Sequence, residues 1–218
     1  MSPLGEALLS ALSRLHAGAL VAVAVSGGLD SWVLALLLRQ LGRDVAGYTL
    51  VSRVEGYCEW EQTVAIADNF DIPVYPIEVS GFEEALPRFL NVTRTPIYNL
   101  HPVSKLLLAE GLAARGIDYI VTGDAADQVF RCEAECDLLP LTQACFRHCN
   151  VGLITPFLEP EVRALCTVPD PDKLPLRQLA ASLGIPPIPK RPTYYPGSNI
   201  LTYTKQMLEA LQCVASPG

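Results

Sequence analysis

A chain of 218 residues is long enough for one full hydrophobic core and a small appendage. Half of its residues are hydrophobic, yet no apolar run approaches the ~20 residues that span a bilayer, which excludes both a disordered and a membrane-spanning chain. The net charge of −7, with a pI near 5.0, speaks against a broad phosphate-binding surface and so against nucleic acid as a partner, although a local basic groove is compatible with it.

Taken in chain order, Leu4, Leu8, Leu12 and Leu15 recur at helical spacing. The same stretch lacks a basic n-region and carries Glu6, so no secretory signal is predicted. Seven cysteines without such a signal point to free thiols in a reducing, cytoplasmic setting. Leu20–Val25 is short, β-branched and unbroken, and reads as a buried strand. A helix over Ser31–Leu41 follows, ending before Gly42, then a strand over Val45–Val51, a helix over Cys58–Phe70 and a strand over Val74–Val79. Phe82–Leu90 and Val103–Arg115 read as helices, Tyr119–Thr122 as a fourth strand, and a further helix starts near Ala125.

Strands alternating with helices predict an α/β fold with a doubly wound parallel sheet, whose ligand crevice lies beyond the C-terminal ends of the strands. From about Asn150 the texture changes, as prolines between 156 and 196 break the chain into short pieces before a last amphipathic helix over Ile200–Val214. The division expected is an α/β core over 1–150 and a small helical C-terminal subdomain over 151–218, packed against the open edge of the sheet and completing the site.

The stretch "LVAVAVSGGLDSWVLALLL", residues 20–38, carries the most chemistry. Ser26, Gly27, Gly28, Leu29, Asp30 and Ser31 fall where a strand ends and a helix begins, so backbone N–H groups and the helix dipole converge there. The glycines admit an anion close to the backbone and the hydroxyls add donors, which makes a phosphate cradle. It is neither G-x-x-x-x-G-K-[ST] nor G-x-G-x-x-G. Asp30 is out of place beside an anion unless a cation intervenes, and Mg²⁺ shared between carboxylate and phosphate oxygens resolves the conflict. A second cluster, Cys132, Cys136, Cys145 and Cys149 with His148 adjacent, is spaced C-x3-C-x8-C-x3-C. The i, i+4 pairs share a helix face, but the spacing matches no common zinc pattern, so packing thiols are the favoured reading and a zinc site the minor one.

The hexapeptide SGGLDS is similar to the PP-loop of the ATP pyrophosphatases. Together with "TPIYNLHPVSKLLLAEGL", "IVTGDAADQVF" and "TPFLEPEVRALC", in that order, it resembles the synthetase domain of the asparagine synthetases over about residues 18–195. Ser2 stands where those enzymes have the nucleophilic cysteine of a glutaminase domain, and the first strand begins by residue 20, so no such domain is expected. Asp124 takes the place of the family's active-site glutamate, Gln128 replaces a second acid, and the family's lysine loop becomes "IPKRPTYYPGSN", with Lys190 or Arg191 in the lysine's place.

The resemblance implies an adenine nucleotide α-hydrolase-like fold and an AMP- and pyrophosphate-forming synthetase that adenylates a small carboxylate and passes it to ammonia or an amine, the donor coming from outside or from a separate amidotransferase. It implies ATP held by Ser26–Ser31, with adenine around Tyr48–Val51, where Tyr48 and Leu50 are the contacts, Gly123 also among the nucleotide-binding residues, and Mg²⁺ on Asp30 and Asp127. Asp124 is then the base or amine-orienting group, with Lys190 or Arg191 offsetting developing charge. A helix N-cap is the bland alternative for Asp124 and a solvated surface lysine that for Lys190. Two other readings stay open: a PP-loop sulfur-transfer enzyme using cysteine thiolates, and a degenerate ATP-binding subunit. A homodimer is also left open.

Overall fold

A computed structural model describes residues 2–15, 20–52, 60–79, 81–133, 138–188 and 200–214. Helix α1 (Pro3–Ser13) is capped by the Ser2 side chain, which accepts from the Gly5 amide, and its leucines Leu4, Leu8 and Leu12 are buried. Strand β1 (Val21–Ala24), helix α2 (Leu29–Gln40) and strand β2 (Val45–Ser52) follow, then α3 (Trp60–Phe70) and β3 (Val74–Val79). Helices α4 (Phe82–Thr93) and α5 (His101–Ala113) lead to β4 (Tyr119–Val121), α6 (Ala126–Phe130), α7 (Leu139–His148) and β5 (Gly152–Ile154). A 3-10 turn (Pro156–Leu158), α8 (Pro160–Arg163), α9 (Leu174–Ser182) and α10 (Ile200–Val214) complete the described chain.

The five strands pair in the order β3-β2-β1-β4-β5, all parallel, with Val21 beside Val45 and Ala22 beside Ile120. Side chains alternate across a strand, and β1 shows what that does: Val21 and Val23 join one buried cluster, Ala22 the other. The first cluster is filled from α1, α2 and α9 with Phe157, the second from α4, α5 and α7 with Phe146. Helix α2 is buried from Ser31 through Leu38, because α1 and α9 cover the side that faces away from the sheet. Helix α10 docks on α4, and its buried Thr204 accepts from the Ile97 amide.

The expected α/β fold is the observed one, and helix and strand bounds agree within a few residues. Two elements were not read individually. The helix expected from about Ala125 is two, α6 and α7, and Gly152–Ile154, expected only within a tail of short helices and extended pieces, adds β5 to the sheet beside β4. Three residues are too few to carry a period. Helix α9 also covers a face of the sheet, through α1 and α2, and does not close an edge. Among the described residues no helix is long and apolar enough to cross a membrane.

The order places the switch of winding direction between β1 and β4. From β1 the chain proceeds outward through β2 and β3, then returns to add β4 and β5 on the other side. The C-terminal ends of β1 and β4 therefore diverge in their connections and leave a crevice above the sheet.

Candidate active site

That crevice is a cavity of about 490 Å³. The loop Ser26–Ser31 forms one wall, with Tyr48 and Leu50 from the end of β2, Gly123, Asp124 and Asp127 from the turn after β4, and Lys173 from the start of α9. Every described residue of the expected site thus lines a single space. Lys190 and Arg191 lie outside the described residues.

The loop is held by its own side chains. Ser26 Oγ accepts from the Gly28 amide at 3.1 Å, while Ser31 Oγ accepts from the Ser26 amide and donates to the Gly28 carbonyl, both at 3.3 Å. From outside the loop, the buried Trp32 indole donates to the Ser26 carbonyl at 2.8 Å and Gln62 Nε2 donates to the Gly27 carbonyl at 3.1 Å. Helix α2 begins at this loop without a side-chain cap. The first amides of a helix have no intrahelical partner, so this end presents N–H groups and a positive dipole to an anion in the cavity.

Gly123 lets the turn after β4 approach this helix start. A Cβ there would lie 2.9 Å from Asp30 Cβ and 3.1 Å from the Ser31 backbone nitrogen. The next turn brings Ala125 into the left-handed region at φ 68°, a strained setting for a residue with a Cβ, and thereby starts α6 with Asp127 in its first turn. Asp124 is not the cap of this helix. Its side chain turns across the cavity to Lys105 of α5, whose ammonium donates to Oδ1 at 2.6 Å. The other oxygen, Oδ2, is buried without a hydrogen-bond partner. Burial pushes the Asp124 carboxyl up, but the Lys105 ammonium outweighs it and holds the group below its usual range. A carboxylate held low is a charge-positioning group rather than a strong base.

Helix α5 offers His101, Ser104, Lys105 and Leu108 to the cavity, the i, i+3, i+4, i+7 set of one helix face. Burial, aided by the Lys105 charge, pushes His101 down to about 4, so the imidazole is neutral at pH 7.

The cation facing the PP-loop is Lys173. Its Nζ lies 2.7 and 2.8 Å from the two oxygens of Asp30 and 3.1 Å from Asp127 Oδ1. Two carboxylates gathered on one ammonium make a cation site, and the ammonium stands in for whatever cation the site takes. Asp30 and Asp127 therefore fit Mg²⁺, which commonly uses one or two carboxylates plus phosphate oxygens. Sequence reasoning missed both lysines. Lys105 gave a faint signal, as the one cation in the mostly apolar run "VSKLLLAEGLA".

Four of the described cysteines fall into two pairs. Cys145 is fully buried on α7, where burial pushes its thiol up to about 12, and Cys149 follows at the end of that helix. Cys132 is exposed beyond α6, and its Sγ donates to the Cys166 carbonyl at 3.0 Å. Cys136 lies outside the described residues. Among the described residues no group of three or more His, Cys, Asp or Glu side chains could hold a metal ion.

The family model "Asparagine synthase" matches residues 4–182. A tRNA-specific 2-thiouridylase, MnmA, of Hydrogenovibrio crunogenus is 35% identical over 124 residues, covering 49% of this chain and 32% of that protein. MnmA of Bacillus subtilis is 32% identical over 123 residues, covering 49% of this chain and 33% of its own. The match thus spans about a third of these relatives' length. Among solved structures, the U34-tRNA thiolase NcsA of Methanococcus maripaludis, with its [4Fe-4S] cluster, superposes with a TM-score of 0.56 at 18% identity, covering 97% of this chain and 73% of that one. At that identity the likeness speaks for the fold alone.

These relatives overturn two expectations. The amide-forming synthetase with a small carboxylate and an amine finds no counterpart in them, because they are sulfur-inserting enzymes by name. The expectation against nucleic acid falls as well, since they are named for tRNA. Its physical weakness was to treat net charge, a sum over the whole surface, as if it described one site. Lys105, Lys173 and Arg177 all line this cavity despite the acidic total.

Proposed function

The chain belongs to the asparagine synthase family, within the PP-loop ATP pyrophosphatases, and from that premise we propose that it activates a base of tRNA with ATP for the insertion of sulfur. The observation that carries this reading is the sequence likeness to tRNA 2-thiouridylases. The cavity is compatible with it, combining an anion-binding helix start, two lysines and a neutral imidazole.

In this reading the loop and the first amides of α2 hold the β- and γ-phosphates. A carbonyl oxygen of the base attacks the α-phosphorus, and pyrophosphate leaves. Hydrosulfide then adds to the activated ring carbon, and AMP departs with the former carbonyl oxygen, leaving a thiocarbonyl once the sulfur loses its proton. Where a cysteine persulfide delivers its terminal sulfur instead, a second cysteine thiolate attacks the inner sulfur, breaks the S–S bond and is left in a disulfide. Mg²⁺ held by Asp30 and Asp127 supplies charge neutralisation for the phosphates. Asp124, kept anionic by Lys105, has its unpartnered Oδ2 available to a ring N–H. The base enters only when extruded from its stack, which uncovers the ring edge that these groups face. Cys132, whose Sγ donates to the backbone carbonyl of Cys166, and Cys166 itself are the candidates for carrying sulfur on this chain.

The test is direct. The purified protein is incubated with an unmodified tRNA transcript, Mg·ATP and sulfide, and nucleosides and nucleotides are separated by mass-detected chromatography. Thiolated nucleoside and AMP in equal amounts are expected. AMP formation indifferent to RNA, with no sulfur incorporated, sinks the proposal.

A further inference from the structure

The position of Lys173 has a consequence for the order in which ligands bind. Its turn is fastened at both ends. The Asp170 amide donates to the Phe130 carbonyl of α6 at 2.6 Å, and Asp170 Oδ2 accepts from the Leu174 amide at 2.7 Å to cap α9. Lys173 itself takes φ 53°, a left-handed conformation that a non-glycine residue adopts at a cost. The fold thus delivers a largely buried ammonium, with 12% of its side chain exposed, onto two carboxylates from the first turns of two different helices, α2 and α6. Any divalent ion bound by Asp30 and Asp127 must take over oxygens that the ammonium now occupies.

We propose that Lys173 makes the metal site conditional on nucleotide: it occupies the Asp30–Asp127 pair until a triphosphate offers it other oxygens, and only then do the carboxylates take a divalent cation. The inference rests on the nucleotide half of the proposed function and not on the acceptor. Without nucleotide, the Lys173 ammonium offsets part of the charge of the carboxylate pair and competes for the same oxygens, so metal binding is weak. With nucleotide, the added phosphate charge draws the ammonium away and supplies further metal ligands. Metal and nucleotide then promote each other's binding, and the coupling is reciprocal.

The test measures Mn²⁺ bound to the nucleotide-free full chain, read from the loss of the free-ion signal in electron paramagnetic resonance. Lys173→Met should bind Mn²⁺ about tenfold more tightly than the parent, a coupling of ordinary size. Lys173→Arg, which keeps the charge, should stay at the weak parental level, and Asp30→Asn added to Lys173→Met should abolish the gain. Equal affinity in the parent and Lys173→Met, or a gain that survives Asp30→Asn, overturns the proposal. Lys173→Met can lose stability, because it removes a cation from between two carboxylates. Mn²⁺ should then restore its melting temperature, and instability that Mn²⁺ does not relieve counts against the proposal. No RNA, sulfur or turnover enters this assay. Failure of sulfur transfer leaves its result intact, and failure here leaves the sulfur reading standing.

Discussion

Replacing Gly123 with Ala tests whether the turn after β4 and the start of α2 are fitted to each other. The new Cβ would stand 2.9 Å from Asp30 Cβ, 3.1 Å from the Ser31 nitrogen and 3.3 Å from the Asp30 carbonyl carbon. Carbon atoms rest at roughly 3.5–4.0 Å, so relief needs a shift of about half an ångström or more. Two of the three atoms are backbone and cannot rotate away. Strand β4 is held between β1 and β5, and α2 is buried over most of its length, so the movement falls on the helix start and the turn. Overpacking of this kind costs about 1–3 kcal/mol. The same shift displaces the α2 amides and Asp30, and misplacement near 1 Å costs about 100-fold in activity. Stability is read from urea unfolding. Binding of a non-hydrolysable ATP analogue is read from Trp32 fluorescence in a Trp60→Phe background, since Trp32 donates to the loop carbonyl of Ser26 and the chain has two tryptophans. A variant within about 0.5 kcal/mol of the parent that binds the analogue equally well would falsify the close fit and remove Gly123 from the site.

Two other outcomes follow from the same geometry. His101 is held neutral in the fold, with its pKa lowered to about 4 against 6.5 when free, so the unfolded chain gains a proton first as pH falls. Stability should decline between about pH 6.5 and 4 by roughly 3 kcal/mol, and His101→Gln should flatten that slope in urea titrations at stepped pH; an unchanged slope contradicts the burial argument. In native-state alkylation followed by peptide mass mapping, exposed Cys132 should be modified and fully buried Cys145, its thiol pushed up to about 12, spared. Equal labelling of the two would show that α7 opens readily.

What could be read from the sequence was what is contiguous in it. The loop expected to cradle phosphate lies within one hexapeptide between a β-branched strand and an apolar helix, and each of those signals is local. Asp30 and Asp127 were legible for the same reason, each standing in a short motif at a strand's C-terminal end. The cation that joins them was not. Lys173 meets Asp30 across 143 positions, from "PDPDKLPLRQ", which reads as a polar turn before an ordinary helix. Nothing in that stretch reports that Asp170 fastens the turn to Phe130, a contact that exists only once α6 and α9 are in place. Lys105 was nearer to legible. A lone cation in an apolar helix packed on a sheet needs a partner, and Asp124 supplies it 19 positions later.

The cysteine spacing misleads for the opposite reason, because it is regular although Cys132 and Cys145 stand on different elements. Residue 132 lies beyond α6 in the left-handed region and bonds to the loop after α8, while 145 and 149 belong to α7. A motif is trustworthy when one element holds it together. Where tertiary packing brings the partners together, the charge left unpaired in the sequence is the better guide. Asp30, an anion placed in an anion cradle, required a cation before any fold was known, and the structure supplies one from the far end of the chain.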